Sequence, residues 1–348
     1  MTSLPERPAA GPTGTSVLQV HPTRRCNLRC VHCYSDSGPN QSESLPIDIL
    51  KTAVTDAAAE GFTTLGVSGG EPLLYEPLAD LLAHARSAGM ITTVTSNGIL
   101  LSARRLAEIA SYTSLLAISL DGVPQSHNAM RGARHAFEFM AKRLPAVRAS
   151  GIDFGFIFTL TQHNVHELEW VLQFALEEGA KLLQIHPLEI AGRAADMLPE
   201  AHPDAREMAV GYIEAYRAQA LAGKRLRVHI DLADAALLGA EPARVFADES
   251  FEAAADQRLA SLVTPLIIEA SGLVVPFAYG FPPAYALGNI NDDRLTAMSA
   301  RWVLHCYPSL RRVCRRAFQA ITQSAASTPV ANWYEAVLAQ ADGRINRL

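Results

Sequence analysis

The residues with the most chemical potential stand together near the start of the chain. Three of its five cysteines read Cys26-Asn-Leu-Arg-Cys30-Val-His-Cys33, a CxxxCxxC spacing. Iron–sulfur clusters are held by thiolates, normally four of them. Three thiolates on one loop can grip three corners of a [4Fe–4S] cube and leave the fourth iron open to a small-molecule chelator. The same open-position logic separates catalytic from structural zinc. The rival is a zinc site made of the three thiolates plus His32 or His21, but zinc knuckles usually come as paired halves and no second half lies near. The blandest alternative, three buried cysteines, fits poorly with a loop carrying Arg24, Arg25, Asn27, Arg29 and Asp36. The spacing favours the cluster. Cys306 and Cys314 stand apart near the end, and an odd total with one tight group is a poor disulfide framework. In a reducing compartment such a group more often holds a metal.

A loop of this kind needs a scaffold, and the hydrophobic pattern supplies one. Apolar runs at Ser16–His21, Thr63–Ser68, Ile91–Thr95, Leu115–Leu120, Phe154–Leu160 and Lys181–His186 read as strands. Helical segments fall between and after them, at Pro46–Glu60, Pro77–Ala88, Ser102–Ala110, Ala136–Ala149, Val165–Glu178 and Asp204–Ala222. Six strand–helix units in sequence imply a parallel sheet, because parallel neighbours need a crossover. The strands are continuously apolar, as expected when both faces are covered. The pattern predicts an α/β fold, a partial (β/α)6 TIM-like barrel, with an open doubly wound sheet as the rival. The polar stretches Thr23–Asp36, Gly69–Glu71, Ser96–Asn97 and Asp121 all follow strands, the edge where such folds place chemistry.

After about residue 225 the pattern changes. Arg227–Leu232 reads as a strand, Pro265–Val275 as a hairpin broken at Ser271-Gly272, then Leu287–Ile290, with helices at Leu295–His305, Ser309–Thr322 and Asn332–Ala341. The reading is a disordered leader over residues 1–15, a core barrel over 16–225 and a small α+β C-terminal extension over 226–348.

Bulk properties exclude some partners. Thirty basic and 35 acidic side chains leave a net charge of −5, with no basic excess to suggest a nucleic-acid surface. No run of 18 apolar residues predicts a membrane span. The leader has no apolar core and does not read as a secretory signal. A cytoplasmic protein is expected.

The stretch Cys26–Tyr34 resembles the signature of the radical S-adenosylmethionine (SAM) superfamily, and the similarity continues through the next strands. Gly69-Gly70-Glu71-Pro72 resembles the family's GGEP motif, whose backbone and carboxylate receive the methionine amino group. A carboxylate is the natural partner of an ammonium, and glycines permit close main-chain contacts. Ser96 and Asn97 resemble the strand-three end that contacts the ribose or carboxylate of SAM. Ser119-Leu-Asp121-Gly resembles the strand-four end. Arg131 resembles an arginine that would pair with the SAM carboxylate. Tyr34 is expected near the adenine, and Gly192-Arg193 resembles a family loop lying along it. The resemblance spans Ser16 to Arg193. Singly, the segments are weak. Gly69 and Gly70 also read as turn residues, Asn97 as a helix cap and Arg131 as a surface charge. His163, His166 and His186 read as hydrogen-bonded scaffold rather than acid–base groups. CxxxCxxC, GGEP, TSNG and SLDG in order, each after a strand, form a strong joint signal.

The resemblance implies an enzyme with a [4Fe–4S] cluster and SAM as cofactors. A flavodoxin- or ferredoxin-type donor would supply an electron. SAM would be cleaved to a 5′-deoxyadenosyl radical that abstracts a substrate hydrogen. Glu269–Asp293 resembles the SPASM or twitch extension of many such enzymes, which carries cysteines for auxiliary clusters. Here Phe277 stands at the corresponding position. Cys306 and Cys314 cannot complete a four-thiolate site, so a degenerate extension and one cluster in total are expected, with these two read as buried spectators ahead of a redox pair, ligands sharing an odd cluster with His305, or ligands with an external group. The branch implies modification of a peptide, presented by a separate protein, or of a natural-product intermediate. The alternatives are a nucleoside, sugar or tetrapyrrole substrate, or a non-catalytic iron–sulfur or zinc protein.

Overall fold

The computed structural model describes residues 15–241, 245 and 257–342. Residues 1–14, most of the expected leader, lie outside the described residues. The strands are β1 (Val17–Val20), β2 (Thr64–Val67), β3 (Ile91–Ser96), β4 (Leu115–Ser119), β5 (Phe154–Leu160), β6 (Leu182–Pro187), β7 (Arg227–Ile230), β8 (Ala233–Asp234), β9 (Leu266–Ile268), β10 (Leu273–Pro276), β11 (Gly288–Asn289) and β12 (Val330–Ala331). The first helices are α1 (Ile47–Ala59), α2 (Leu78–Ser87), α3 (Ala103–Ile109), α4 (Pro124–Arg131), α5 (Ala136–Ala141), α6 (Leu144–Ala149) and α7 (Leu168–Glu177). They are followed by α8 (Arg193–Met197), α9 (Ala205–Ala222), α10 (Ala235–Ala240), α11 (Leu295–His305), α12 (Tyr307–Gln323) and α13 (Trp333–Ala341).

The main sheet runs β11-β10-β9-β1-β2-β3-β4-β5-β6-β7. Its run from β1 to β7 is parallel throughout. The two outer strands of that run are not paired to each other, so the barrel is partial. The expected six strands become seven, because Arg227–Ile230 pairs in parallel with β6. On the other side β9 joins β1 in parallel, and β10 and β11 follow antiparallel.

Side chains alternate across each strand. Leu18, Val20, Leu65, Val67, Leu116, Ile118, Phe156, Phe158 and Leu183 are fully buried in the apolar core. Each such residue contributes about 1.5–3 kcal/mol. On the opposite face Gln19, Thr93, Thr95, Thr159, Gln184 and His186 are half-buried. The sheet therefore presents a polar inner wall, bounded at its strand ends by the motif loops.

Two helical readings need correction. The segment Ala136–Ala149 is two helices, because Pro145 starts the second and cannot donate to the first. Pro124–Arg131 is a helix that apolar periodicity misses, since it carries little apolar surface. Its signal is Pro124 at the first turn and Gly132, with φ 62°, just past the end.

Candidate cluster and cofactor site

After β1 the chain forms the cysteine loop. Its own main chain closes it through Cys26 N–H to Gly38 O at 3.2 Å and Gly38 N–H to Arg24 O at 3.1 Å. Cys26 and Cys30 are buried beside Leu28, with Cys33 packed against them. Each sulfur faces a donor. Leu28 N–H lies 3.4 Å and Asn97 Nδ2 3.9 Å from Cys26 Sγ. Arg131 Nη1 lies 3.8 Å from Cys30 Sγ. Ser37 N–H donates to Cys33 Sγ at 3.3 Å, with Ser35 Oγ at 3.5 Å. Burial pushes the Cys26 thiol up to about 12 and the Cys30 thiol upward. Metal binding at these thiols would release protons. Sulfurs ringed by donors fit the thiolates of a three-cysteine cluster.

The histidines of the zinc reading are engaged elsewhere. His32 Nδ1 is 3.1 Å from Met130 O, and His21 Nε2 is 2.9 Å from Gln19 Nε2. His21 also packs against Tyr279 in a tilted pair, with ring centroids 4.8 Å apart.

Two glycines set how closely the neighbouring loops approach. Gly70 N–H donates to Thr23 O, and Glu71 N–H to Arg25 O, both at 2.8 Å. A Cβ on Gly70 would collide with the Arg25 carbonyl, and Gly69 lies against Thr23 and His21. Gly192, with φ 53°, sits on the carbonyls of Cys33 and Tyr34, where a side chain has no room. Arg193 then grips the loop through N–H to Cys33 O at 2.9 Å, Nη1 to Cys30 O at 2.6 Å and Nη2 to Ser37 O at 2.8 Å. Arg193 is thereby placed on the cysteine loop's main chain.

Glu71 is fully buried. Its Oε1 accepts from Ser96 Oγ at 2.9 Å and Leu73 N–H at 3.2 Å, and its Oε2 from Asn97 N–H at 2.9 Å. Burial raises the carboxyl to about 7 against these hydrogen bonds. A carboxylate has about four acceptor sites, so one on Oε2 is left unused by these three bonds. Asn97 continues outward, with Nδ2 2.9 Å from Asn27 Oδ1. Tyr34 places its hydroxyl 3.3 Å from Ser68 Oγ.

Ser119 ends β4 and is buried. Asp121 follows and meets Arg131 Nε at 2.6 Å. Burial opposes the Asp121 charge, but Arg131 outweighs it and holds the carboxyl near 2. Asn164 and Glu167, which sequence reasoning missed, brace this strand end. Asn164 Nδ2 donates to Asp121 O at 3.3 Å, and Glu167 accepts from Val123 N–H at 2.8 Å and Ser126 Oγ at 2.6 Å. Nothing in their local sequence marks them, because their partners belong to another strand end.

The other expected residues separate by place. His163 and His166 are exposed on the loop after β5. His186 pairs with Asp231 at 2.9 Å and Glu189 at 3.3 Å. Phe277, at φ 67°, packs against Phe281 and Tyr334 with centroids 5.8 and 6.0 Å away. Cys314 is buried in the apolar core, and Cys306 Sγ is 3.5 Å from Ala284 O.

The model of the radical SAM superfamily matches residues 20–175. The chain is 33% identical over 182 residues to the Fe-coproporphyrin III synthase of Methanosarcina barkeri, covering 51% of this chain and 45% of that protein. It is 30% identical over 193 residues to the mycofactocin maturase MftC of Mycobacterium ulcerans, covering 55% and 52%. The solved structure of anSMEcpe with bound AdoMet aligns at a TM-score of 0.61 and 17% identity, over 95% of this chain and 97% of that one. Streptococcus suis SuiB bound to S-adenosylmethionine gives 0.64 at 16% identity, over 85% and 68%. The structural likenesses show a shared fold. The chain spans about half the length of the curated relatives it matches. The match to the radical SAM superfamily, a family that uses a [4Fe–4S] cluster and SAM, thus lies over residues 20–175 of this chain. No helix among the described residues is long and apolar enough to cross a membrane.

Proposed function

We propose that this chain is an enzyme that cleaves SAM reductively and directs the resulting radical at a peptide or natural-product substrate. The observation that carries the reading is the placement of Asn97. Its N–H binds Glu71 Oε2, and its Nδ2 reaches both Cys26 Sγ and Asn27 Oδ1. One residue at the end of β3 thus ties together the thiol loop, the β2 turn and its own turn. A [4Fe–4S] cluster at Cys26, Cys30 and Cys33 would supply the electron that breaks a carbon–sulfur bond of SAM, giving a 5′-deoxyadenosyl radical.

The chain's own residues do the positioning. Glu71 offers its remaining acceptor site to the methionine ammonium. Ser96, Asn97, Ser119 and Tyr34 line the approach, and the polar inner wall beyond them receives the substrate. A flavodoxin- or ferredoxin-type protein is the proposed electron donor.

Relatives named for bacteriocin biosynthesis and mycofactocin maturation support the peptide or natural-product reading. A second reading, a tetrapyrrole substrate, is favoured by the relatives named for haem and coproporphyrin synthesis. Anaerobically reconstituted protein under dithionite is expected to release 5′-deoxyadenosine, and Cys30→Ala to abolish it. Undiminished release from that variant overturns the assignment. Deuterium transfer into 5′-deoxyadenosine from a labelled peptide or a labelled porphyrin decides between the two substrates.

A further inference from the structure

Arg131 is read from sequence as a partner of the SAM carboxylate, yet it is buried between two other groups. Its Nε meets Asp121 Oδ2 at 2.6 Å, and its Nη1 lies 3.8 Å from Cys30 Sγ. Asp121 is fully buried and Arg131 nearly so. The guanidinium stands between a carboxylate and a thiol of the cluster loop.

The arrangement is held firmly. The end of α4 is fixed to the cysteine loop, because Met130 O accepts from Val31 N–H at 3.0 Å and lies 3.1 Å from His32 Nδ1. Two histidines flank the carboxylate. His127 Nδ1 accepts the Asp121 N–H at 3.2 Å, and His32 Nε2 is 3.9 Å from Asp121 Oδ2. Asp121 and Arg131 are the carboxylate and guanidinium facing Cys30 from the β4–α4 side. An ion pair at this depth gives up much of its attraction to desolvation, so stability alone is a weak reason for it.

We infer that the Asp121–Arg131 pair sets the reduction potential of the cluster bound at Cys30, with the guanidinium as its positive pole and Asp121 as the restraint that limits it. Reduction adds negative charge to the cluster, and hydrogen bonds and charge near its sulfurs are among the protein's means of tuning that step. The inference rests on the proposed function for the presence of the cluster. It makes a prediction of sign. Removing the guanidinium leaves Asp121 facing the sulfur and makes reduction harder. Neutralising Asp121 leaves the guanidinium unopposed and makes reduction easier. An arginine devoted to the SAM carboxylate, or a pair with only a structural role, gives no such opposed shifts.

The test is an EPR-monitored redox titration of anaerobically reconstituted protein without SAM, comparing wild type, Arg131→Met, Arg131→Lys and Asp121→Asn. The expected result is a lower midpoint for Arg131→Met, a higher one for Asp121→Asn and partial return toward wild type for Arg131→Lys, which keeps the charge. SAM affinity is measured beside it. Unmoved midpoints with an about tenfold or greater loss of SAM affinity in Arg131→Met, the scale of one charge-assisted contact, overturn the inference in favour of the SAM carboxylate. Shifts of the same sign in Arg131→Met and Asp121→Asn overturn it as well. Wild-type protein without a [4Fe–4S] signal sinks both this inference and the proposed function, whereas a wild-type signal with unmoved midpoints sinks this inference alone.

Discussion

The cysteine loop and the C-terminal extension both lie against β1, one as its continuation and one along its free edge, and they are held by different forces. The loop is fixed by main-chain hydrogen bonds at Gly70 and Gly192, by the Arg193 fork and by the Asp121–Arg131 pair. The extension adds β9 to the edge of β1 and then packs through apolar surface. Phe277, Phe281, Tyr285 and Tyr334 form an aromatic group there. Polar pinning fixes sulfur positions to hydrogen-bond precision, which a cofactor site needs. Apolar packing supplies stability and tolerates rearrangement more readily. Stability and cluster loading should therefore separate by region.

Phe281→Ala gives the largest expected effect on stability. Phe281 is among the largest fully buried side chains, and a Phe-to-Ala truncation in a core costs about 3–5 kcal/mol. Chemical denaturation should show this loss, while iron per folded chain stays at the wild-type value. A matching loss of iron would join the two regions that the comparison separates.

Gly70→Ala should do the reverse. The added methyl meets the Arg25 carbonyl, and overpacking of this kind costs about 1–3 kcal/mol. Iron and sulfide in the reconstituted variant should fall well below wild type, because the β2 turn can no longer close on the thiol loop. Full loading with wild-type 5′-deoxyadenosine release would show that the close approach at Gly70 is dispensable.

Cys306→Ala and Cys314→Ala sharpen the comparison from the extension's side. Burial drives the Cys314 thiol up to about 12, and it packs in the apolar core. Both variants should keep about four irons per chain, the content of one [4Fe–4S] cluster. About eight irons in wild type, falling in either variant, would place a second cluster in the extension.

The same contrast governs what the sequence made legible. β1 to β6 could be read because each is a short apolar run bounded by glycine or a polar turn, and the motif loops because each follows such a strand. Residues whose partners are remote in sequence could not be read. Val17 N–H meets Thr264 Oγ1 across 247 positions, and no local pattern announces that β9 will pair with β1. Arg193 was legible as a loop residue, but its grip on Cys30 O and Ser37 O depends on how β6 ends beside the loop. Helix α4 was missed because its buried face carries His127 and Arg131 rather than aliphatic residues. A helix built to position charges lacks the periodicity that reveals an ordinary amphipathic one.

The smallest prediction concerns a polar tie between the regions. His202, just ahead of α9, places Nε2 2.8 Å from Glu335 Oε1 of α13. Burial alone would lower the His202 pKa, but the hydrogen bond and charge of Glu335 outweigh it and the net shift is upward. A histidine raised in the folded state adds stability that is fully present below its unfolded value of about 6.5. That stability fades as pH rises through the folded value. The midpoint of urea denaturation should therefore fall as pH increases above about 6.5, and His202→Gln should flatten part of that fall. His186 does not blur the comparison. Burial opposes its charge, yet Asp231 and Glu189 raise it to about 10, so its proton stays on through the lower part of the window. Its contribution is common to both proteins and cancels in the difference. Identical pH profiles for wild type and His202→Gln would mean that the His202–Glu335 pair adds nothing to holding the extension on the barrel.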